Sequence, residues 1–538
     1  MPTRLPVFRV AMGRADPERL VDLGRGLFGL ADFKLDRRQP WSILRSGSKV
    51  IEICEDSAGL FAADEARLWN PHLTPELPGE GEAREIAEAF VGKNGLLPMA
   101  EKESPFRVAV DSGGGTRLAI EEEGAKRLER QLDMHVTYST RLVIDDVDER
   151  MELPVVGGGG ELQVMIGDRG EVIGCCGVLR MPAGAGFMVD AISQEEADRR
   201  FEELMGNVQL DVYRSSLAYY AAPAFAAQEF MYPVYVYSAT AVIDDVAVPL
   251  RMVTIPATRF GPELPKATLQ VPLRAARSGL QESLQALSLK RSYATLAINP
   301  FEAGASWIGL SGGLAGSQQN AQGFIDELAA DGWDINFNWG DGNAWESDWR
   351  RNDDTWVDAA DFVFYTGHAN MNGWTLASPD DTFLHFSETG AVPQAPGDLW
   401  GQQDLEWAVI AACGPLQDEI IGKGGGNVLT RWGGAFDGLH TLMGYGGITF
   451  DNTQEGRRLI QYAKGGQTLI GAWFRAATEI QPSTNGAAAP DGPDIWVGAM
   501  WVARSGTTSP SGDHLWGHGS VAPDPTSPNI KACMWTRT

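Results

Sequence analysis

Two polar motifs, each placed directly after an apolar run, hold the residues with the most distinctive chemistry. His368 follows the run 361–365, and Cys413 follows the run 407–412. If both runs are neighbouring strands of a parallel sheet, the imidazole and the thiol leave the same sheet edge within reach of each other. An imidazole that takes the thiol proton creates a thiolate nucleophile. The spacing therefore predicts Cys413 as the nucleophile and His368 as the general base.

Glycine stands beside both candidate catalytic residues. Gly367 precedes His368 and Gly414 follows Cys413. Glycine leaves the backbone open to approach by a substrate, and the neighbouring amides could face a developing oxyanion. We therefore predict Gly367 and Gly414 as backbone support for an oxyanion. The alternative is structural, because a buried cysteine at a strand end usually packs as a small hydrophobe.

Other histidines and cysteines offer weaker chemistry. His440 is a rival general base at the entry to an apolar segment. His514 and His518 lie four residues apart without an evident third ligand, so we predict no metal site and no cofactor. The five cysteines do not suggest a disulfide framework, and their odd number leaves at least one free thiol.

Tryptophan is concentrated in one part of the chain, with 15 of the 17 residues beyond position 300. Several stand in loops rich in Asn, Gly and Asp, where an indole often lines a pocket or an interface. We predict that Trp339, Trp345 and Trp374 line a substrate pocket, together with Asp341 and Asp348. Core filling is the alternative for the tryptophans, and a solvated acidic loop is the alternative for the aspartates.

The C-terminal half alternates short apolar runs with amphipathic stretches. The predicted strands are 305–310, 333–337, 361–365, 407–412, 439–444 and 495–502, and the predicted helices are 317–330 and 455–480. Fully apolar runs separated by helices favour a parallel sheet that is buried on both faces. The pattern predicts an α/β domain with a mostly parallel sheet over residues 291–538.

The N-terminal half contains an internal repeat. The segment 138–147 (YSTRLVIDDV) recurs at 237–246 (YSATAVIDDV), and in each copy an alternating strand enters an Asp-Asp turn, which is a hairpin signal. Helical stretches at 82–91 and 193–205 precede the two copies. We predict a tandem α+β module of two helix-plus-antiparallel-strand units over 76–261, preceded by a segment, 1–75, packed on it and followed by a linker, 262–290.

A strand ending in His and, 45 residues later, a strand ending in Ala-Cys-Gly resemble the caspase, legumain and gingipain group of cysteine peptidases. The resemblance implies a caspase-like domain in which His368 is the base and Cys413 the nucleophile. It also implies an acidic pocket for a basic side chain, for which the candidates are Asp341, Asp348, Asp353 and Asp354. Ala369 and Pro415 depart from the family's glycine-rich pattern.

The N-terminal half resembles PepSY and thermolysin-propeptide-like domains. The resemblance rests on the helix 193–205, on strands such as Pro233-Val-Tyr-Val, and on the strand-turn-strand segment 167–172. Such domains are commonly propeptides or inhibitory modules attached to peptidases. The resemblance implies that this half regulates access to the C-terminal half or recruits its substrate.

The overall charge narrows the possible partners. A net charge of -27 opposes nucleic acid and anionic lipid as partners, and the absence of a signal peptide and of a membrane-length apolar run predicts a cytoplasmic protein unless a leader has been removed. We predict a thiol-dependent hydrolase, most simply a cysteine peptidase. The alternatives are an enzyme that converts an apolar small molecule, such as a lipid or terpenoid, in a Trp-lined pocket with carboxylates as acid and base, and a non-catalytic binding protein.

Overall fold

The computed structural model describes residues 3–11, 17–30, 34–38, 40–97, 105–145, 150–243, 245–261, 301–377, 381–390, 398–484 and 492–538. The predicted linker 262–290 lies outside the described residues, as do residues 291–300 and part of each predicted Asp-Asp turn.

Seven α-helices occur in the described part of the chain. They are α1 (Pro17–Phe28), α2 (Glu80–Lys93), α3 (Gln194–Met205), α4 (Ser317–Ala330), α5 (Val428–Trp432), α6 (Glu455–Lys464) and α7 (Leu469–Ile480). The predicted single helix 455–480 is two helices, because Gly466 takes a positive φ of 88° that ends α6, and the side chain of Thr468 caps α7. The helices 82–91, 193–205 and 317–330 were predicted close to their observed positions.

Fifteen strands form the first sheet, which is antiparallel except for one parallel pair, β10 with β14. They are β1 (Arg4–Val10), β2 (Lys34–Arg38), β3 (Trp41–Ser46), β4 (Lys49–Cys54), β5 (Leu60–Asp64), β6 (Phe106–Gly114), β9 (Met134–Asp145), β10 (Arg150–Val156), β11 (Gly160–Ile166), β12 (Val172–Leu179), β13 (Pro182–Asp190), β14 (Leu210–Tyr220), β15 (Phe230–Ile243), β16 (Val246–Pro249) and β17 (Val253–Pro256). The two hairpins predicted from the repeat are confirmed as β9–β10 and β15–β16.

Nine strands form the second sheet in the order β19-β18-β20-β24-β25-β26-β27-β7-β8. They are β7 (Thr116–Glu122), β8 (Leu128–Gln131), β18 (Glu302–Trp307), β19 (Asp334–Gly340), β20 (Phe362–Thr366), β24 (Trp407–Ala411), β25 (Thr441–Tyr445), β26 (Trp496–Ala503) and β27 (Ile530–Arg537). The five strands from β19 to β25 pair in parallel, and the remaining pairings are antiparallel. A small third sheet joins β21 (Ala369–Asn370), β22 (Gly373–Thr375) and β23 (Phe383–His385).

The predicted fold class is wrong. The described residues are mostly β, with 40% strand and 22% helix, and their large sheets are antiparallel or mixed. The prediction of an α+β module followed by a mostly parallel α/β domain fails for two reasons. The segment before residue 75 supplies β1–β5 to the first sheet instead of packing on it, and four of the nine strands in the second sheet make only antiparallel pairings.

The parallel strands are covered differently on their two faces. Helices α4, α6 and α7 pack on the face that presents Phe364, Val409 and Met443. On the other face, Val363, Ile410 and Leu442 contact a cluster of buried tryptophans from the segments that connect the strands of this sheet. These indoles are Trp345, Trp349, Trp356, Trp374, Trp400 and Trp432. Large aromatic side chains from these connecting segments therefore fill the space that helices occupy in an ordinary α/β fold.

The two halves of the chain share structure. The hairpin β7–β8 comes from the N-terminal half, yet β7 pairs with β27 at the end of the chain. The segment between β16 and β17 also crosses over, since Met252 forms a parallel bridge with Phe450. The predicted domain division stays a prediction. Among the described helices, none is both long and apolar enough to cross a membrane.

Candidate functional site

The carboxyl end of the parallel strands holds the two predicted catalytic residues. β20 and β24 are neighbours that pair in parallel up to Thr366 and Ala411. His368 and Cys413 each follow their strand by two residues, so both lie at the same sheet edge. Their side chains are buried, with 1% and 0% exposure. The neighbouring strands that the prediction requires are thus present, and the surroundings of each side chain decide what the pair can do.

Both ring nitrogens of His368 bond to backbone groups. Nδ1 accepts the Arg251 N–H at 3.1 Å, and Nε2 lies 2.7 Å from the carbonyl oxygen of Gly312. Because a backbone N–H only donates and a carbonyl only accepts, the neutral ring carries its proton on Nε2. Burial lowers the pKa of His368 to about 4; the Gly312 carbonyl opposes this and the charge of Arg251 adds to it. In this arrangement the basic nitrogen, Nδ1, is already occupied.

Cys413 is held by Thr449. Its Sγ accepts the Thr449 N–H at 3.4 Å and lies 3.8 Å from the Thr449 hydroxyl oxygen. The guanidinium of Arg251 is close enough to Cys413 that a thiolate there would raise the pKa of Arg251.

Arg251 is the centre of a buried polar network. Its guanidinium donates to Thr366 Oγ1 at 3.0 Å, to the Ala411 carbonyl at 2.8 Å and to the Phe450 carbonyl at 2.6 Å, and both Glu455 oxygens lie at 3.2 Å. Glu455 also accepts hydrogen bonds from the side chains of Asn320, Tyr445 and Gln481. Burial lowers the pKa of Arg251, but the charges of Glu455 and Asp451 outweigh it and the pKa is raised. The network therefore holds Arg251, a side chain of the N-terminal half, at the carboxyl edge of the parallel strands of the C-terminal half.

The segment 250–252 lies across both candidate catalytic residues. Arg251 N–H bonds to His368, while Met252 N–H bonds to the carbonyl of Thr449, whose own N–H bonds to Cys413. Next to this segment is a cavity of about 520 Å³ between the halves, lined by residues of both, including Val253, Gly316 and Asp451. Neither the segment 250–252 nor His368 or Cys413 lines this cavity; the lining residues nearest to the segment in the chain are Val253 and Thr254.

The two predicted oxyanion glycines occupy positions that exclude larger residues. A Cβ on Gly367 would lie 2.1 Å from the Tyr365 hydroxyl oxygen, so a side chain would displace that ring. Gly414 has a φ of 78°, which favours glycine. These local constraints account for both glycines.

The three predicted pocket tryptophans lie in the core cluster on the face of the parallel strands that α4, α6 and α7 do not cover. Trp339, Trp345 and Trp374 are 5%, 8% and 0% exposed. Trp374 packs against the rings of Trp349 and Trp432, with centroids 5.1 Å and 5.3 Å apart. This packing matches the core-filling alternative.

The two predicted pocket aspartates have different environments. Asp341 Oδ1 accepts hydrogen bonds from the backbone of Gly309 and from the backbone and hydroxyl of Ser311, so it anchors the loop that follows β18. Asp348 is 3% exposed in a 3₁₀ turn, Glu346–Asp348. Neither aspartate pairs with Arg251, the buried arginine at this edge of the sheet, whose carboxylate partner is Glu455.

Two of the other histidines, His440 and His518, lie beside carboxylates, whereas Nδ1 of His514 lies 3.2 Å from the carbonyl oxygen of Ser520. His518 Nε2 lies 2.8 Å from Asp331 Oδ2, and His440 Nδ1 lies 2.6 Å from Asp513 Oδ2. His440, the rival base, is buried at the amino edge of the sheet, opposite the edge that holds Cys413.

Sequence reasoning missed two groups, the buried Arg251 and the acidic residues at the amino edge of the parallel strands. The insertion of Arg251 carries no local motif. The amino edge of the parallel strands collects acidic residues, and a signal for these existed: Asp361 and Glu406 each stand directly before an apolar strand, and Glu302 is the first residue of another.

Residues 298–538 match the family model DUF6345, described as a domain of unknown function. The match spans β18 to β27, with His368 and Cys413, and covers less than half of the chain. No curated protein matches.

One solved structure with some similarity is that of an uncharacterized protein from Eubacterium rectale. It is 11% identical, the alignment covers 50% of this chain and 87% of the other, and the TM-score is 0.28. A likeness at this level carries no argument about fold or activity.

Proposed function

We propose that this protein is a thiol-dependent hydrolase, a cysteine peptidase held in a closed state by its own N-terminal half. Cys413 is the nucleophile, and His368 is the general base. The observation that carries the proposal is the position of segment 250–252, whose backbone binds His368 directly and Cys413 through Thr449.

Withdrawal of segment 250–252 supplies what catalysis needs. It frees Nδ1 of His368 from the Arg251 N–H and opens the buried thiol to the neighbouring cavity. Entry of water relieves the burial that lowers the pKa of His368, so the imidazole becomes a stronger base.

In the open state, His368 takes the proton of Cys413 and the thiolate attacks the substrate carbonyl carbon. The C–N bond breaks as the imidazolium gives its proton to the leaving amine, and a thioester remains on Cys413. Water then attacks the thioester while His368 accepts its proton. The thiol returns and the carboxylic acid leaves.

Glu455 indicates a substrate class. It binds the guanidinium of Arg251 in the closed state, and Asp451 lies on the wall of the adjacent cavity. Once Arg251 leaves, the same carboxylates are available to a cationic side chain of another peptide. We therefore propose peptides containing Arg or Lys as substrates.

A second candidate is a binding protein without thiol chemistry. It is favoured by the saturation of both His368 ring nitrogens and by the 0% exposure of Cys413. In that case Arg251 is a permanent tie between the halves.

Iodoacetamide labelling of the full chain, read by mass spectrometry, separates the two candidates. Arg251→Ala removes the guanidinium bonds and leaves the backbone in place. We expect it to speed alkylation of Cys413 by roughly tenfold or more, since about 1.4 kcal/mol of lost closure energy shifts an opening equilibrium tenfold. The other four cysteines are buried and serve as internal references for global unfolding.

Arg259→Ala is the matched control, because Arg259 is an exposed arginine of the same half. Hydrolysis of Arg- and Lys-containing peptides by the Arg251→Ala protein should disappear in the additional variants Cys413→Ala and His368→Ala. Turnover that survives either change refutes the dyad. Alkylation of Cys413 at the wild-type rate in Arg251→Ala refutes the closed-state proposal.

A further inference from the structure

A cavity of about 440 Å³ lies between strands of the N-terminal half and helices of the C-terminal half. Its lining includes Trp41 and Arg45 of β3, Arg458 and Tyr462 of α6, and Arg475 of α7. We call it the arginine cavity, after Arg45, Arg458 and Arg475. Small-molecule sites in proteins typically have volumes of roughly 300–1,000 Å³, so this cavity has the size of a ligand site.

Carboxylates of the protein neutralise two of the three arginines. Arg475 Nη2 donates to Glu52 Oε2 at 2.7 Å, and its Nε donates to Glu479 Oε1 at 3.0 Å. Arg45 Nη1 lies 3.1 Å from Glu65 Oε2, and its Nη2 lies 3.7 Å from Glu52 Oε1. The charges of Arg475 and Arg45 are therefore already matched within the fold.

Aromatic rings hold the third arginine, Arg458, which is 8% exposed. The central carbon of its guanidinium lies 4.0 Å from the ring centroid of Phe225, 4.9 Å from that of Tyr462 and 5.3 Å from that of Trp41. Such rings attract the positive charge and keep the group in place, but they do not supply the oxygen acceptors that guanidinium N–H groups favour. The side chain is therefore fixed in position with part of its hydrogen-bonding capacity unused.

Two buried side chains of the cavity lack hydrogen-bond partners on defined atoms. Arg458 Nη1 donates to Gln461 Oε1 at 2.8 Å, and Nη2 lies 3.7 Å from Glu479 Oε2, but neither Nε nor Nη2 has a hydrogen-bond partner among the described residues. Gln467 donates through Nε2 to Glu65 at 3.0 Å, whereas its Oε1 accepts no hydrogen bond from the same part of the chain. Buried donors and acceptors without partners are costly, so both groups point to an occupant of the cavity.

We propose that the arginine cavity binds a small molecule with an oxyanion group, a carboxylate or a phosphate, on Arg458. The Nε–H and one Nη2–H lie on the same edge of the guanidinium and donate in parallel, which matches two oxygens of such a group. Gln467 Oε1 suits an O–H or N–H group of the same molecule. The site is separate from Cys413 and does not depend on the proposed thiol chemistry.

The test is calorimetric titration of the full chain with two probes, mandelate for a carboxylate and inorganic phosphate for a phosphate group. We expect one saturable site per chain for at least one probe, with a rise in melting temperature, and the probe that binds identifies the oxyanion. Arg458→Met and Arg458→Lys should each weaken binding by roughly tenfold or more, because neither replacement supplies the two parallel N–H donors. Arg458→Lys keeps the positive charge among the rings, so it carries the test if Arg458→Met does not fold.

Arg457→Met is the matched control, because Arg457 is the preceding residue of α6 and pairs with Asp326 and Glu327 instead of lining the cavity. It removes the same charge as Arg458→Met and should leave the affinity for the probe unchanged. Equal weakening by the two methionine variants would show that binding follows net charge alone and would overturn the site. Absence of saturable binding of both probes at millimolar concentrations, or wild-type affinity in Arg458→Lys, would overturn it as well.

Discussion

Asp353 is a buried carboxyl whose neutralisation should stabilise the fold at neutral pH. The side chain is 3% exposed, and its Oδ2 has no hydrogen-bond partner among the described residues. Burial is the main cause that raises the pKa of Asp353 to about 8, and the charge of Asp358 contributes further. Asp353→Asn replaces the protonated acid by a neutral group of the same shape.

The magnitude follows from the two pKa values. The folded pKa is raised, so this group contributes its full stability below the unfolded pKa of 3.8 and loses it as pH rises toward about 8. At pH 7 the unfolded chain has released the proton while the folded chain keeps it. At about 1.4 kcal/mol per pH unit, the loss is at most roughly 4 kcal/mol. Burial also raises the pKa of Asp358 to about 7, so Asp358 competes with Asp353 for the proton in the folded chain. We therefore expect a loss of about 2 kcal/mol from Asp353 at pH 7.

The assay is urea unfolding at pH 5, 6, 7 and 8 in a buffer with chelator, followed by tryptophan emission. Fifteen of the 17 tryptophans lie beyond residue 300, so the emission reports the half that contains Asp353. The free energy of unfolding of Asp353→Asn should exceed that of the wild type by about 2 kcal/mol at pH 7, and the difference should shrink as pH falls toward 4.

Glu419→Gln is the matched control, because Glu419 is an exposed carboxylate of the same half and is not among the charges that act on Asp353 or Asp358. It should change neither the stability nor its pH dependence. Identical pH slopes for wild type and Asp353→Asn, or a destabilised Asp353→Asn at pH 7, would show that Asp353 is not protonated in the fold.

Two further predictions concern buried groups. Arg251→Met and Glu455→Gln should each lower the free energy of unfolding by about 3 kcal/mol, because each leaves a buried charged partner uncompensated. The double variant should lose less than the sum of the two single losses. Additive losses in urea unfolding would contradict this coupling. Trp374→Ala should lower the free energy of unfolding by about 3–5 kcal/mol, since this fully buried ring contacts two other indoles. Trp516→Ala should lower it clearly less, because Trp516 is only half-buried. Equal losses would contradict the role of Trp374 in the core.

The strands of the C-terminal half could be predicted because fully apolar runs must be buried in any fold. The predicted runs 361–365 and 407–412 lie within one residue of β20 and β24. The layer on one face could not be predicted in the same way. The connections on that face use 3₁₀ turns and indoles, and Asn- and Gly-rich loops have no helical period from which to recognise a covering layer.

Strand pairings between segments that are far apart in the chain could not be predicted from the sequence either. β7 joins β27 across some 400 residues, and no local pattern in either strand specifies that partner. The adjacency of His368 and Cys413 could be inferred, because neighbouring parallel strands bring their ends to one edge. Arg251 could not, since an arginine between two short strands is most simply placed at the surface, and its burial depends on a carboxylate 204 residues away.

The two edges of the parallel strands resolve buried charge in different ways. At the carboxyl edge, the acidic group of Glu455 is matched by Arg251 and by three neutral donors, so the chain supplies its own cation. At the amino edge, Asp361, Asp404 and Glu406 face one another, and their pKa values are raised by burial and by mutual repulsion. A fold that commits an arginine to one edge and none of its described cations to those three carboxylates needs a proton or an external cation there. Burial raises the pKa of Glu406 to about 10, so a proton neutralises part of the amino edge at neutral pH, where the carboxyl edge uses an arginine.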